Sequence, residues 1–520
     1  MWVDGSPRVA CVTPVRRLRG REVTTLDGLP DPVRRRWADA LVASGGSQCG
    51  FCTPGIVMRL AALESAGARS GGARSGPPPA PGADATAGPD PGPPPDKIAA
   101  SLVAHLCRCT GWQTIEEAAM SALGRPPALG EADGHHRARD LEAAAARAAL
   151  EGGVPQQVGP EVVLGRPGFA DDSRPADSLV AVPDGRGGYV VGESVAAARA
   201  GAGKVQGRST SLPLEHPVAV PPGRWDLVLA TTWLEPAYVE PDASWATPGG
   251  EPASPYGNGG AFGGKLHSPV GADARRLADE HGRPVGVLWS REDVVRMGPK
   301  RPPVAGGIAT DGTGVLRVGC SRGGVTTEAW ASVTSMVARV APGLVLEQVP
   351  VAGPPVSFDL RAAVWAEAAV LTACAREVGR GGTAGGDDIP VQVTAPGGGR
   401  AVASCRADGS VHVVVDAGTV LDEVVLRSYA IGATHQALGW VRSEGIAVDS
   451  EGAVRDLTVR SFGILQARAM PHVEVTILHG GARPPVNGSD AVFAAVAAAR
   501  WLADGLPPRW PTDRIGAGRR

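Results

Sequence analysis

Apolar residues recur along this chain with two rhythms, one of three to four residues and one of two, separated by stretches with neither. Helical spacing runs from Pro30 to Ala43 through Val33, Trp37 and Leu41. It resumes after Thr53-Pro54 through Ile56, Val57, Leu60 and Leu63. Two further helices are expected through Ile98, Leu102 and His105, and through Ile115, Ala118, Ala119 and Leu123, with Asp96 and Thr110 as their caps. From Val162 onward short strand-like runs between Gly and Pro turns take over. Tyr189-Val190-Val191-Gly192-Glu193-Ser194 is followed by an Ala-rich helix to Val205. Ala272–His281 reads as a helix, Val285–Trp289 as a strand, and Ser290 with Asp293 as the cap of the next segment. Near the end, His412–Asp416 is a strand turned by Gly418. It leads into a helix whose stripe is Val424, Ser428, Ile431, His435 and Leu438, with Gly432 and Gly439 admitting a close neighbour. His105 and His435 fall on apolar faces and are expected to pack rather than bind metal. Asp490 reads as the N-cap of a last helix, Ala491–Leu502.

Two stretches lack either rhythm. Residues 66–95 contain a direct duplication, Gly67–Gly71 repeated as Gly72–Gly76, followed by a Pro/Ala/Gly tract, and are expected to be a disordered insertion. Residues 126–160, polar and Ala-rich, are expected to be a linker. The 520 residues suit three or four domains, and 72 Gly with 47 Pro predict much loop. Balanced charge, 51 basic against 53 acidic, leaves no nucleic-acid footprint. No apolar run approaches the roughly 18 residues of a spanning helix and no leader pattern is visible, so no membrane is expected and the reading is cytoplasmic.

The chemistry concentrates in the cysteines. Cys49-Gly50-Phe51-Cys52 and Cys107-Arg108-Cys109 are two close thiol pairs among only 8 Cys. Thiolates ligate soft metals, and Cys52 precedes a helix start, where the dipole favours a thiolate. From spacing alone an iron–sulfur cluster, a structural zinc and unligated thiols all stand. Structural disulfides do not suit a chain read as cytoplasmic.

The literal residues go further. Gln48-Cys49-Gly50-Phe51-Cys52-Thr53-Pro54-Gly55, with Leu106-Cys107-Arg108-Cys109-Thr110-Gly111-Trp112, resembles the helical [2Fe-2S] domain of the xanthine oxidase and aldehyde oxidase family of molybdenum hydroxylases. The resemblance implies Cys49, Cys52, Cys107 and Cys109 as ligands of a [2Fe-2S] cluster, with Gln48 and Cys109 near the pterin of a molybdenum cofactor. Gly259-Gly260-Ala261-Phe262-Gly263-Gly264-Lys265 resembles the loop that embraces that cofactor, implying Gly260, Phe262, Gly263 and Gly264 as binding positions. Leu360–Glu367 resembles the family's Arg-Gly-Phe-Gly segment with both glycines replaced. The fold implied is multidomain, an α-helical [2Fe-2S] bundle followed by α+β molybdopterin-binding domains. Its divisions are a ferredoxin-domain remnant (1–30), the bundle (31–125), the linker (126–160), a reduced small α/β domain (161–220) and the molybdopterin region (221–510). The remnant is a hairpin, Trp2–Cys11, on an Asp4-Gly5 turn. The other ligands of its cluster would lie before Met1, so Cys11 is expected to be a small buried side chain.

What the resemblance implies functionally is oxidation of an N-heterocycle or aldehyde, with electrons leaving through the cluster. The partners implied are a small-molecule substrate, a separate flavoprotein subunit and further copies in an oligomer. The family's catalytic glutamate lies in a Gly-Glu-Pro-Pro segment, matched here by Ala482-Arg483-Pro484-Pro485. A guanidinium cannot accept a proton at any relevant pH. No catalytic residue is therefore assigned, and Asp490 is the nearest carboxylate. The alternatives are a catalytically degenerate electron-transfer or structural subunit that keeps the cluster, and a zinc-bound scaffold.

Overall fold

The computed structural model describes residues 1–71, 93–124, 139–203, 205, 207–321 and 325–513. The chain opens on the expected hairpin, Trp2–Val3 against Ser6–Pro7. Asp4 and Gly5 both take positive φ, 49° and 71°, as a type I′ turn demands. Cys11, however, is exposed: it sits in a short 3-10 turn with no buried residue, so nothing covers its thiol.

Four helices follow, Asp31–Ser44, Thr53–Gly71, Pro95–Ser101 and Gln113–Ala122. Their stripes meet in one core of Trp37, Leu41, Ile56, Leu60, Leu102 and Ile115. Asp31–Ser44 ends at Gly45, whose φ of 72° suits glycine. The expected caps differ. Neither Asp96 nor Thr110 caps a helix. Thr110 is instead hydrogen-bonded to Cys107 Sγ at 3.2 Å, because the turn after Cys109 brings its hydroxyl back towards the thiols. The insertion read at 66–95 falls largely outside the described residues, although helix Thr53–Gly71 covers its first part.

The stretch read as a linker contains a helix, Leu141–Gly152, capped by Asp140, whose carboxylate accepts from the Glu142 and Ala143 N–H groups. The run of alanines is its packing face: Ala144 and Ala148 are buried against Val425 and Tyr429. Small side chains let it lie close, which a polarity count does not reveal.

Among the described residues, three four-stranded sheets build the remainder. The first runs Tyr189–Gly192, Leu179–Pro183, Val285–Leu288, Ala243–Ala246, so it takes strands from both sides of residue 220. The second runs Leu344–Val351, Gly314–Ser321, Val304–Ile308, Leu227–Ala230. The third runs Val391–Thr394, Arg400–Cys405, Val411–Asp416, Val473–Leu478. Its last two strands are parallel, and the connection between them carries the helix Glu423–Arg442. Val411, Val413 and Val415 face inward. Against them pack Trp365–Gly379, Glu423–Arg442 and the Ala-rich Ser489–Ala503, giving the largest core. Both histidines pack as expected. His435 is buried with Nε2 2.9 Å from the Leu465 carbonyl, and burial holds it down to about 4.

The helix Ser489–Ala503 is not capped by Asp490. Its first N–H groups are received by Glu151, from Gly488 and Ser489 at 3.1 and 2.8 Å, and by Asn487 Oδ1, from Asp490 at 2.9 Å. Glu151 pairs with Arg147 at 3.0 Å, both side chains fully buried, and Arg147 donates on to the Val486 and Thr419 carbonyls. Burial raises the Glu151 carboxyl, and its backbone and arginine partners oppose the rise. Removing one member of such a pair leaves a buried charge uncompensated. We expect Glu151→Ala to cost about 3–5 kcal/mol in denaturant unfolding. A cost near zero would show that the helix start needs no carboxylate.

Candidate metal centre and the loop that covers it

The two cysteine motifs arrive from different directions. Cys49 and Cys52 lie on the turn into Thr53–Gly71, and Cys107 and Cys109 on the turn into Gln113–Ala122. The thiols pair across the motifs rather than within them. Cys49 and Cys109 Sγ are 3.6 Å apart, and Cys52 hydrogen-bonds Cys107. That bond, opposed by burial and helped by Thr110, brings the Cys107 thiol down to about 6. Cys52, the donor to Cys107, and Cys109, the donor to Cys49, are pushed up, first by the bond to the partner thiol and then by burial.

Two pairs are what a two-iron rhombus uses, two thiolates on each metal. Zinc needs four donors around one point. The two-by-two pairing of the thiols is the arrangement a binuclear cluster uses. His105 stands aside, lowered to about 4 first by burial and then by Arg59.

The glycine loop lies directly on the first pair. A Cβ on Gly260 would stand 2.7 Å from Cys49 Cβ, and 3.1 and 3.2 Å from the Sγ atoms of Cys49 and Cys109. Its φ of 78° is also a glycine conformation. Gln48 is tied on both sides: its Nε2 donates to Ser428 Oγ at 2.9 Å, and its carbonyl accepts from Asn258 at 2.9 Å. Arg108, between the two cysteines of its motif, makes a buried bidentate pair with Glu444 at 2.6 and 2.7 Å.

Further along, the loop borders a cleft of about 130 Å³ lined by Tyr256, Phe262, Gly263, Asp359, Arg361 and Asp490, among others. Gly263 leaves no room for a side chain, since a Cβ would lie 1.9 Å from the Asp359 carbonyl. Gly264 is pressed against the Tyr238 ring, and Lys265 is buried and paired with Glu240 at 3.0 Å. Arg361 is stacked 5.2 Å from the Phe262 ring centre. It donates to Asp490 at 2.9 Å, Gln436 at 3.2 Å and Ser489 at 2.6 Å. Arg483 is outside this lining and is ion-paired with Asp416.

The cleft passes a chemical test for a pterin. The Tyr256 hydroxyl is buried with no partner among the described residues, and burial pushes it up to about 12, which keeps it a donor. Carboxylates, an amide and glycine peptide groups surround it. Such a set suits a polar heterocycle with several donors and acceptors.

A model of a [2Fe-2S] binding domain matches residues 25–120. Over 118 residues the chain is 36% identical to aldehyde oxidase 1 of Cavia porcellus, covering 22% of this chain and 7% of that protein. Over 123 residues it is 34% identical to xanthine dehydrogenase of Blastobotrys adeninivorans, with the same shares. The fold likeness runs further: aldehyde oxidoreductase from Desulfovibrio gigas superposes with a TM-score of 0.65 at 14% identity, covering 100% of this chain and 94% of that one. Residues 25–120 thus resemble the [2Fe-2S] binding domain that aldehyde oxidases and xanthine dehydrogenases carry, and the whole chain shares the fold of the Desulfovibrio gigas aldehyde oxidoreductase. The chain is multidomain, with the match to a [2Fe-2S] binding domain in the helical bundle and α+β domains after it. The aldehyde oxidoreductase of Desulfovibrio desulfuricans has the same fold, with a TM-score of 0.61 at 12% identity, covering 99% of this chain and 94% of that one. The sequence match spans only 7% of the length of the curated relatives, so their activities do not transfer by identity.

Sequence reading had marked Gln48, Gly260, Phe262, Gly263, Gly264 and the four cysteines as candidate site residues. It missed Tyr256, Asp359, Asn258 and the Arg108–Glu444 pair, whose partners lie far apart in the chain. It also passed over Gln156, held by the Ala148 carbonyl and the Tyr429 hydroxyl and packed against Gly259. One signal was available: a charged residue between two buried cysteines, as Arg108 is, must find a partner. We expect Gly260→Ala to strain the loop by about 1–2 kcal/mol from its positive φ alone, and to push it off the thiols. Iron content and the visible spectrum of purified variant report this, and a native spectrum with full iron would refute the contact.

Proposed function

We propose that this chain is an oxidoreductase of xanthine dehydrogenase or aldehyde oxidase type. In this reading Cys49, Cys52, Cys107 and Cys109 hold the [2Fe-2S] cluster, and the Gly260–Gly264 loop with Gln48 holds a molybdenum–molybdopterin cofactor. The observation that carries it is the seat of Gly260 on the Cys49–Cys109 pair, which leaves almost no distance between cofactor loop and cluster. The substrate is a small N-heterocycle or aldehyde, and a separate flavoprotein subunit takes the electrons.

A bound molybdenum cofactor supplies the two-electron oxidation of a substrate carbon with oxygen from water. The chain's own residues supply the rest. Tyr256 donates into the cleft and Asp359 accepts. Arg361 is locked by three partners and presents a fixed cation beside the Phe262 ring. Asp490, with Oδ1 on Arg361, is the carboxylate placed to take a proton there. General-base help of this kind is worth roughly 10²–10⁴ in rate.

A second reading keeps the cluster without hydroxylation. It is favoured by Arg483, which occupies the segment where a glutamate base is expected and is spent on Asp416. One set of measurements separates the readings. Protein purified from its own host should hold iron and sulfide at two each per chain, plus molybdenum, and turn over heterocycles or aldehydes with an artificial acceptor. Any Cys→Ser change among the four should lose iron and soften the bundle, because ligation and folding are coupled. Asp490→Asn should reduce turnover about 10²-fold or more without loss of molybdenum. Iron without molybdenum or turnover would establish the electron-transfer or structural subunit, and a single zinc would overturn both readings.

A further inference from the structure

Away from the loop and the thiols, a larger cavity of about 260 Å³ opens between helices Thr327–Val340 and Trp365–Gly379 and the strand Val391–Thr394. Its lining includes Arg339, Arg376, Thr372, Gln392 and Thr394, and no carboxylate. We propose that this cavity binds a phosphate monoester, through the guanidinium groups of Arg339 and Arg376 and the hydroxyl of Thr372.

Neither arginine of this lining has an ion pair among the described residues. The neighbouring Glu377 is taken by Arg380 at 3.1 Å. Arg376 has no side-chain hydrogen bond or ion pair among the described residues, and Arg339 reaches only the Pro396 carbonyl at 3.5 Å. That distance lies beyond the range of a strong N–H···O bond. Thr372 Oγ1 is buried and has no partner among the described residues. A buried hydroxyl without a partner costs free energy that a ligand oxygen would recover. The strand Val391–Thr394 is the edge of its sheet, so one row of its peptide groups lacks a strand neighbour. Gln392 and Thr394 add two polar side chains on its exposed face.

These groups share one ligand chemistry. Two guanidinium forks, a hydroxyl and an amide offer donors from several sides, as a tetrahedral dianion requires. The volume leaves room beyond the phosphate for a small organic group, which Val340 and Ala373 would meet on the apolar side. Both arginines also sit in the last turn of their helices, where a cation favours the negative end of the dipole. That service alone would need no cavity and no unpartnered hydroxyl, and the test separates the two roles.

The experiment is calorimetric titration of the intact, metal-loaded protein with inorganic phosphate and with glycerol 3-phosphate at low ionic strength. One saturable site is expected, with a Kd on the order of 1 mM or tighter. Arg376→Gln and Arg339→Gln should each weaken it about tenfold or more, and Thr372→Val by a smaller factor. Iron content should be unchanged, since these residues are remote from the thiols. Absence of saturable binding in the unaltered protein, or binding indifferent to both arginine changes, would overturn the proposal. Arginine variants that only lower the melting temperature, with no phosphate bound by the parent, would assign the pair to helix ends.

Discussion

The structure depends on one close approach of two backbones. A Cβ on Gly432, inside the helix Glu423–Arg442, would fall 1.8 Å from the Cys109 carbonyl, and one on Gly111 would fall 2.7 Å from the Ile431 carbonyl. No other residue fits at either position. Around this contact the bundle and the α+β part are fastened by Gln48 to Ser428, Arg427 to Glu117, Gln436 to the Arg108 carbonyl, and Arg108 to Glu444. The thiols therefore sit on the central helix of the second half, and the cleft at Arg361 reaches the same helix through Gln436.

A second constraint holds the cleft itself. Ala362 and Val364 take φ of 54° and 69°, a region that β-branched side chains rarely enter. Such residues cost on the order of 1–3 kcal/mol each and persist only where the surroundings over-determine them. Here the surroundings are named. Arg301 donates to the Arg361 and Ala362 carbonyls and makes a bidentate pair with Glu367 at 2.8 Å. Its guanidinium also lies 4.3 Å from the Trp440 ring centre. The resemblance placed two lost glycines in this segment, and the backbone has kept the conformation that glycine would take.

Legibility followed the range of the interaction. The bundle helices, the Asp4-Gly5 turn, the Ser290–Asp293 capping box and the stripe through Ser428 and His435 are local patterns, and each was readable. Gly432 was readable as a close-approach position, though not its partner. What failed was the stretch 126–160, where the alanines of Leu141–Gly152 pack because they are small, and Arg147 and Glu151 are buried because they have each other. A charged pair at helical spacing looks like surface until its distant carbonyl acceptors are known. Cys11 failed in the opposite sense, an apolar-looking side chain with nothing to bury it. The caps at Thr110 and Asp490 went wrong because a thiol or a distant residue competes for the group that a local rule assigns, and Asp96 falls inside a helix that starts at Pro95.

The crossed pairing of the thiols gives the centre two unlike ends. Cys49 and Cys109 are buried beneath Gly260, whereas Cys52, of the other pair, is only half-buried. A cluster held by all four would be laid down from the Cys52 side or before the glycine loop closes. Each pair also takes one cysteine from either side of residues 66–95, so filling the site would tie together the chain before and after that segment. The cover over the buried pair rests on a position where one hydrogen atom stands instead of a methyl group.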